Sequence, residues 1–171
     1  VPSEIDELRA AVEALTSRVA ALQDQVEIMQ LVAQYGPAVD SGSAAATAEL
    51  WTEDGTFDAV PSMRMRGRGD IAGMVDGAGH RSLIENGCGH VLTTPHVVVD
   101  GDEATGRSHA LNIRWDADAE RFWVARVSAN TWRWVRTPDG WRVKERVNAN
   151  LDGTPEHRAM LGPRHSAPEE P

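Results

Sequence analysis

Ile5, Leu8, Val12, Leu15, Val19, Leu22, Val26 and Met29 recur at alternating spacings of three and four. This is an a/d heptad seam, with Ile or Val at a and Leu or Met at d, and it predicts one long helix. Ser3 is placed to cap it, and Asp6 and Glu7 suit its positive end. The seam either packs on the chain's own domain or pairs with a second copy. Val at a with Leu at d leans towards two strands. Tyr35-Gly36-Pro37 predicts a kink, because proline removes a backbone donor, and Asp40-Ser41-Gly42 reads as the helix end.

A short helix is expected over 44–51, a turn at Glu53-Asp54-Gly55, and a strand over 56–60. Another helix is expected over 70–78, capped by Asp70. Beyond residue 87 the pattern turns strand-like, with runs over 90–99, 104–115, 122–136 and 141–151. Asp100-Gly101 and Asp139-Gly140 supply hairpin turns. Four strands in a meander after a helical start predict an α+β fold, with helices covering one face of a curved, mainly antiparallel sheet. In the run 122–136 both faces carry groups unsuited to bare water, so one face should meet the helices and the other a second subunit. Three segments follow: a heptad extension over 1–21 continuous with the first helix, a domain over 22–151, and an extended or disordered tail over 152–171.

Composition narrows the classes. The net charge is −9, which disfavours broad nucleic-acid or anionic-membrane binding. No apolar run approaches the roughly 20 residues of a membrane helix. One cysteine, Cys88, leaves no disulfide framework or multi-thiolate zinc site within the chain. A cytoplasmic, single-domain protein is expected. Charge is uneven: residues 107–151 hold nine basic and five acidic groups, whereas residues 1–40 hold two and seven. Five of the six tryptophans lie between Trp115 and Trp141, which marks this sheet segment as the seat of both assembly and pocket.

Six pieces then occur in a telling order: Tyr35-x4-Asp40, Leu50-Trp51-x2-Asp54, Gly67-Arg68-x2-Ile71, His90-x3-Thr94, Val99-Asp100-Gly101-Asp102-x-Ala104, and Asp139-Gly140-Trp141-Arg142-Val143-x2-Arg146. Over about residues 22–151 the chain resembles a SnoaL-like domain of the nuclear-transport-factor-2-like superfamily, to which scytalone dehydratase, hexachlorocyclohexane dehydrochlorinase, bile-acid dehydratase and ketosteroid isomerase belong. The resemblance implies a cone: a curved sheet wrapped around N-terminal helices, with a deep apolar pocket. It also implies homo-oligomers, either dimers or trimers, and a small hydrophobic ligand.

Asp40 and His90 stand where the dehydratase-like members keep a catalytic pair. An aspartate that accepts from one imidazole nitrogen fixes the tautomer and leaves the other nitrogen as a base. In an apolar pocket such a pair suits removal of a carbon-bound proton, then elimination or isomerisation, with no metal or organic cofactor. Tyr35 matches an active-site tyrosine of the bile-acid dehydratase. On an ideal helix it lies about 500° from Asp40, so a core anchor is an equal alternative. Arg146 matches a pocket arginine that would take a carboxylate or oxyanion. Strand alternation, however, groups it with Arg142 and Lys144 in a solvated stripe. Trp51, Met74, Leu92, Thr94, Asn112, Ser128, Asn130 and Trp132 complete the expected ligand site. Thr94 stands where relatives often carry asparagine.

Other signals carry less. His80, Cys88, His90 and His96 match no standard metal spacing, and Cys88 is not a nucleophile by default. The sequence therefore predicts a lyase- or isomerase-type enzyme acting on a hydrophobic cyclic substrate. The alternative is a catalytically silent binding or oligomeric interaction module of the same fold.

Overall fold

The structure is a computed structural model, and it describes residues 3–162 of the 171. The first helix, α1 (Glu4–Asp40), starts from a capping box: Ser3 Oγ accepts from the Asp6 amide, and the Asp6 carboxylate accepts from the Ser3 amide. The helix runs through Pro37 to Asp40 without ending. Up to Leu22 its seam is open, with Leu8, Val12 and Leu15 about 60% exposed. From Asp24 onward the helix meets the domain. The Asp24 carboxylate accepts from Arg136 Nη2 (2.8 Å) and Trp141 Nε1 (3.1 Å), and Ile28, Val32, Tyr35 and Val39 are then buried.

The remaining elements are α2 (Ala44–Glu49), β1 (Trp51–Val60), β2 (Met63–Arg66), α3 (Gly67–Asp76) and α4 (Ala78–Glu85). They are followed by β3 (Cys88–Leu92), β4 (His96–Asp100), β5 (Glu103–Asp116), β6 (Arg121–Thr137), β7 (Gly140–Asn150) and α5 (Pro155–Ala159). One mixed sheet runs in the order β2-β1-β7-β6-β5-β3, with β4 also paired to β5; β1 and β7 are parallel and the other pairs antiparallel. The expected α+β architecture, helices on one face of a curved sheet, is what forms. Gly101 and Gly140 take positive φ (59° and 94°) at the two Asp-Gly hairpins.

Several boundaries differ from the sequence reading. The expected turn at 53–55 lies inside β1, where a register shift between Trp51 and Thr56 absorbs it. The single strand expected over 90–99 is two, broken by Thr93-Thr94-Pro95, since proline cannot donate to a ladder. Helix α4 and the short strand β2 were not expected. The segment expected to be extended from residue 152 forms α5, and residues 163–171 lie outside the described residues.

The core sits on the concave face. Trp51, Trp132, Trp134 and Trp141 are all at most 2% exposed, and the Trp132 and Trp134 rings stack 5.6 Å apart. Their i, i+2 spacing on β6 aims both at the helices. The far end of the β5–β6 hairpin is different: Trp115, Phe122, Trp123 and Val124 are exposed. Among the described residues no helix is long and apolar enough to cross a membrane.

Candidate active site

Helix α1 reaches its C-terminus beside β3 and brings Asp40 to His90. Gly36 permits the approach, because a Cβ there would overlap the His90 carbonyl oxygen. Asp40 Oδ1 lies 2.6 Å from His90 Nδ1, and Oδ2 accepts from the His90 backbone amide at 2.8 Å. A carboxylate at a helix C-terminus is electrostatically disfavoured, and these two donors compensate it. Across the ladder His90 pairs with Asn112 on β5. The Arg114 guanidinium donates from Nε to Asn112 Oδ1 (2.6 Å), which leaves Asn112 Nδ2 facing His90 Nε2 at 2.9 Å. Arginine has only donors, so this chain of bonds assigns every proton: Nε2 accepts, and Nδ1–H donates to Asp40.

His90 and Asn112 line a cavity of about 280 Å³, shared with Tyr35, Phe57, Met74, His80, Leu92 and Arg146. His80 lies 5.5 Å from the His90 ring, centroid to centroid, and its Nε2 donates to the Val39 carbonyl (2.8 Å). Arg146 is 2% exposed, and its Cζ stands 4.2 Å from the Tyr35 ring centroid, 4.4 Å from Phe57 and 4.6 Å from Trp132. Nε donates to Asn130 Oδ1 (2.9 Å), while Nη1 has no partner among the described residues. Burial pushes the guanidinium below its ordinary pKa, with Tyr35 acting in the opposite direction.

Asp40, Cys88 and His90 bring potential ligand atoms within 4.8 Å of one another. Burial, then the Asp40 charge, raises the Cys88 pKa, so the sulfur stays a thiol. The Asp40 and His90 atoms are committed to each other. A metal would need all three deprotonated and free, and this donor set does not fit one. The same shift argues against a cysteine nucleophile.

The profile of the SnoaL-like domain family matches residues 20–147. The chain belongs to this family. Its fold is that of the nuclear-transport-factor-2-like superfamily, as the resemblance implied. Among solved structures, an NTF2-like protein with a cystatin-like fold from Novosphingobium aromaticivorans is 46% identical, covering 86% of this chain and 94% of that one, with a TM-score of 0.83. A protein of unknown function from Mycobacterium tuberculosis is 23% identical, covering 90% and 80%, with a TM-score of 0.66. A Catenulispora acidiphila structure in complex with S-DNPA is 20% identical, covering 77% and 94%, with a TM-score of 0.64. No curated protein matches the chain.

This SnoaL-like chain gathers Tyr35, Met74, His90, Leu92, Asn112 and Arg146 at one cavity, with Asp40 behind His90. The other expected ligand residues lie elsewhere. Trp51 is fully buried, donates to the Thr56 carbonyl and packs behind Tyr35 and Phe57. Thr94 lies in the β3–β4 break, on a separate groove with Val26 and Met29. Ser128 is buried beside Asn150 (3.5 Å). Asn130 and Trp132 sit beneath Arg146 and hold it rather than line the cavity. The solvated stripe does not form, because the β6–β7 register shifts between Arg133 and Trp134. Val143 and Arg146 therefore both face inward, three residues apart, and Arg146 leaves the company of Arg142 and Lys144. His80 and Arg114 were not expected at the site. Arg114 was readable as the same-face neighbour of Asn112 two residues on, whereas nothing in the pattern around His80 pointed to a cavity.

Proposed function

We propose that this chain is a cofactor-independent enzyme of the lyase or isomerase type, acting on a hydrophobic cyclic substrate. The observation that carries the reading is the Asp40–His90–Asn112 arrangement facing an apolar cavity. His90 Nε2 takes a carbon-bound proton, and Asp40 stabilises the imidazolium through Nδ1–H. The electron pair left on carbon either expels a leaving group from the neighbouring carbon or is re-protonated elsewhere. Arg146, with Tyr35 against it, meets the negative charge that develops. Proton transfer to Nε2 requires Asn112 to release it, since one N–H cannot accept from another. Dehydration, dehydrohalogenation and isomerisation all fit these steps.

Deuterium exchange tests the base directly. A panel of cyclic ketones with acidic α-protons, incubated with the protein in D2O, should gain deuterium in a His90-dependent manner, read by mass spectrometry. His90→Ala should lose exchange while keeping its melting temperature. Exchange unchanged in His90→Ala, or absent from a wild type that binds the ketones, would leave the silent binding module as the better account.

A further inference from the structure

The cavity is short of negative charge. Arg114, Arg126 and Arg146 line it, no Asp or Glu among the described residues does, and Asp40 behind His90 is engaged by that residue. Arg114 spends Nε on the neutral Asn112, and Arg126 has no hydrogen-bond or ion-pair partner among the described residues. Arg146 is the most demanding of the three. It is buried, its Nη1 is unpartnered, and Arg126 repels it, against which only the neutral phenol of Tyr35 acts in its favour. The faces of Tyr35, Phe57 and Trp132 around it offset only part of its desolvation. A buried cation beside a second cation calls for an anion.

We propose that the molecule held in this cavity carries a carboxylate, bound between Arg146 and Arg126, with its apolar body against Phe57, Met74 and Leu92. This rests on the cavity being the active site and adds the charge of its substrate. In the productive pose the acidic C–H faces His90 while the carboxylate lies towards Arg146, which orients the ring and relieves the repulsion between the arginines.

Calorimetric titration of the full chain with 2-naphthoate and with its neutral isostere 2-naphthamide is the test. Naphthoate should bind at least about tenfold tighter, and Arg126→Gln, at the exposed rim, should abolish the preference without changing amide binding. Arg146→Gln, checked for folding by circular dichroism, should do the same. Equal affinities, no naphthoate binding at millimolar concentration, or a preference that survives Arg126→Gln would overturn the proposal. A naphthoate preference that is lost in Arg126→Gln, in a wild type that shows no His90-dependent exchange, would retain the anion site and remove only the base.

A separate observation concerns α1. The face that packs on the domain, through Ile28, Val32, Tyr35 and Val39, is not the heptad face. At 100° per residue the two are offset by about 150°. The domain thus uses one side of the helix, and the a/d seam from Ile5 to Val26 is left more than 50% exposed on another. In a parallel pair the g and e positions add Glu4 of one copy to Arg9 of the other, and no like charges meet.

We infer that the seam pairs with the same seam of a second copy, as a parallel two-stranded coil that joins two domains at their helix N-terminal extensions. Sedimentation equilibrium of the full chain should give a dimer, and Leu8→Glu with Leu15→Glu should give a monomer whose domain melting transition is unaltered. A monomeric or trimeric wild type, or a dimer that persists in the double variant, would overturn it.

Discussion

Asp40 holds His90 twice, at the ring Nδ1 and at the backbone amide, so one carboxylate sets both the tautomer of the imidazole and the position of its strand. Asp40→Asn keeps one acceptor oxygen but removes the charge that stabilises the imidazolium. The expected result is a fall in turnover of roughly 10²–10⁴-fold. Binding of the substrate should change little, since Asp40 lies behind His90. Steady-state kinetics on any ketone that exchanges in wild type will separate kcat from KM.

Asn112 controls the other nitrogen. Its amide is oriented by Arg114, and in that orientation it donates to Nε2. Asn112→Asp replaces that donor with a carboxylate, which favours the imidazolium. The base then has to lose a more tightly held proton, so the acid limb of the pH–rate profile should move to higher pH. Proton NMR of the His90 ring would follow the same shift without a substrate. An acid limb that stays in place would show that Asn112 does not act on His90.

Gly36 is required by the helix–strand approach rather than by its own backbone angles. Gly36→Ala forces α1 and β3 apart at His90, a form of overpacking that costs about 1–3 kcal/mol. Urea denaturation should show that loss. Exchange should fall more than stability alone explains, because the displaced strand carries the base away from Asp40.

These dependencies show why only part of the site was legible beforehand. Asp40 and His90 are fifty residues apart, one ending a helix and one in the middle of a strand, and the order of motifs joined them where periodicity could not. Asn112 was expected among the ligand residues, but its contact with His90 across the ladder was not. Arg146 did not follow from alternation, because a bulge moves every later inward residue of β7 by one position and no local residue type announces it. The ligand roles expected for Trp51 and Trp132 show a related limit. Aromatic composition marks burial, but whether a ring lines a cavity or backs another ring depends on packing several elements away.

The last dependence lies outside the site, where α1 leaves the domain. Asp24 accepts from Arg136 and from Trp141, and tethers the helix to the β6–β7 hairpin. The Arg136 hydrogen bond, opposed by desolvation and helped by Trp141, holds the Asp24 carboxyl below its ordinary value of 3.8. A carboxyl whose pKa is depressed by folding stabilises the fold fully above its unfolded value, and the contribution fades as pH falls through the folded value. Asp24→Asn should therefore cost about 1–2 kcal/mol at neutral pH, the scale of a charged hydrogen bond in a half-exposed setting. The gap between variant and wild type should close progressively below about pH 3.8. Urea titrations at a series of pH values would check both halves. A gap that persists undiminished in acid would assign Asp24 a packing role instead of an electrostatic one.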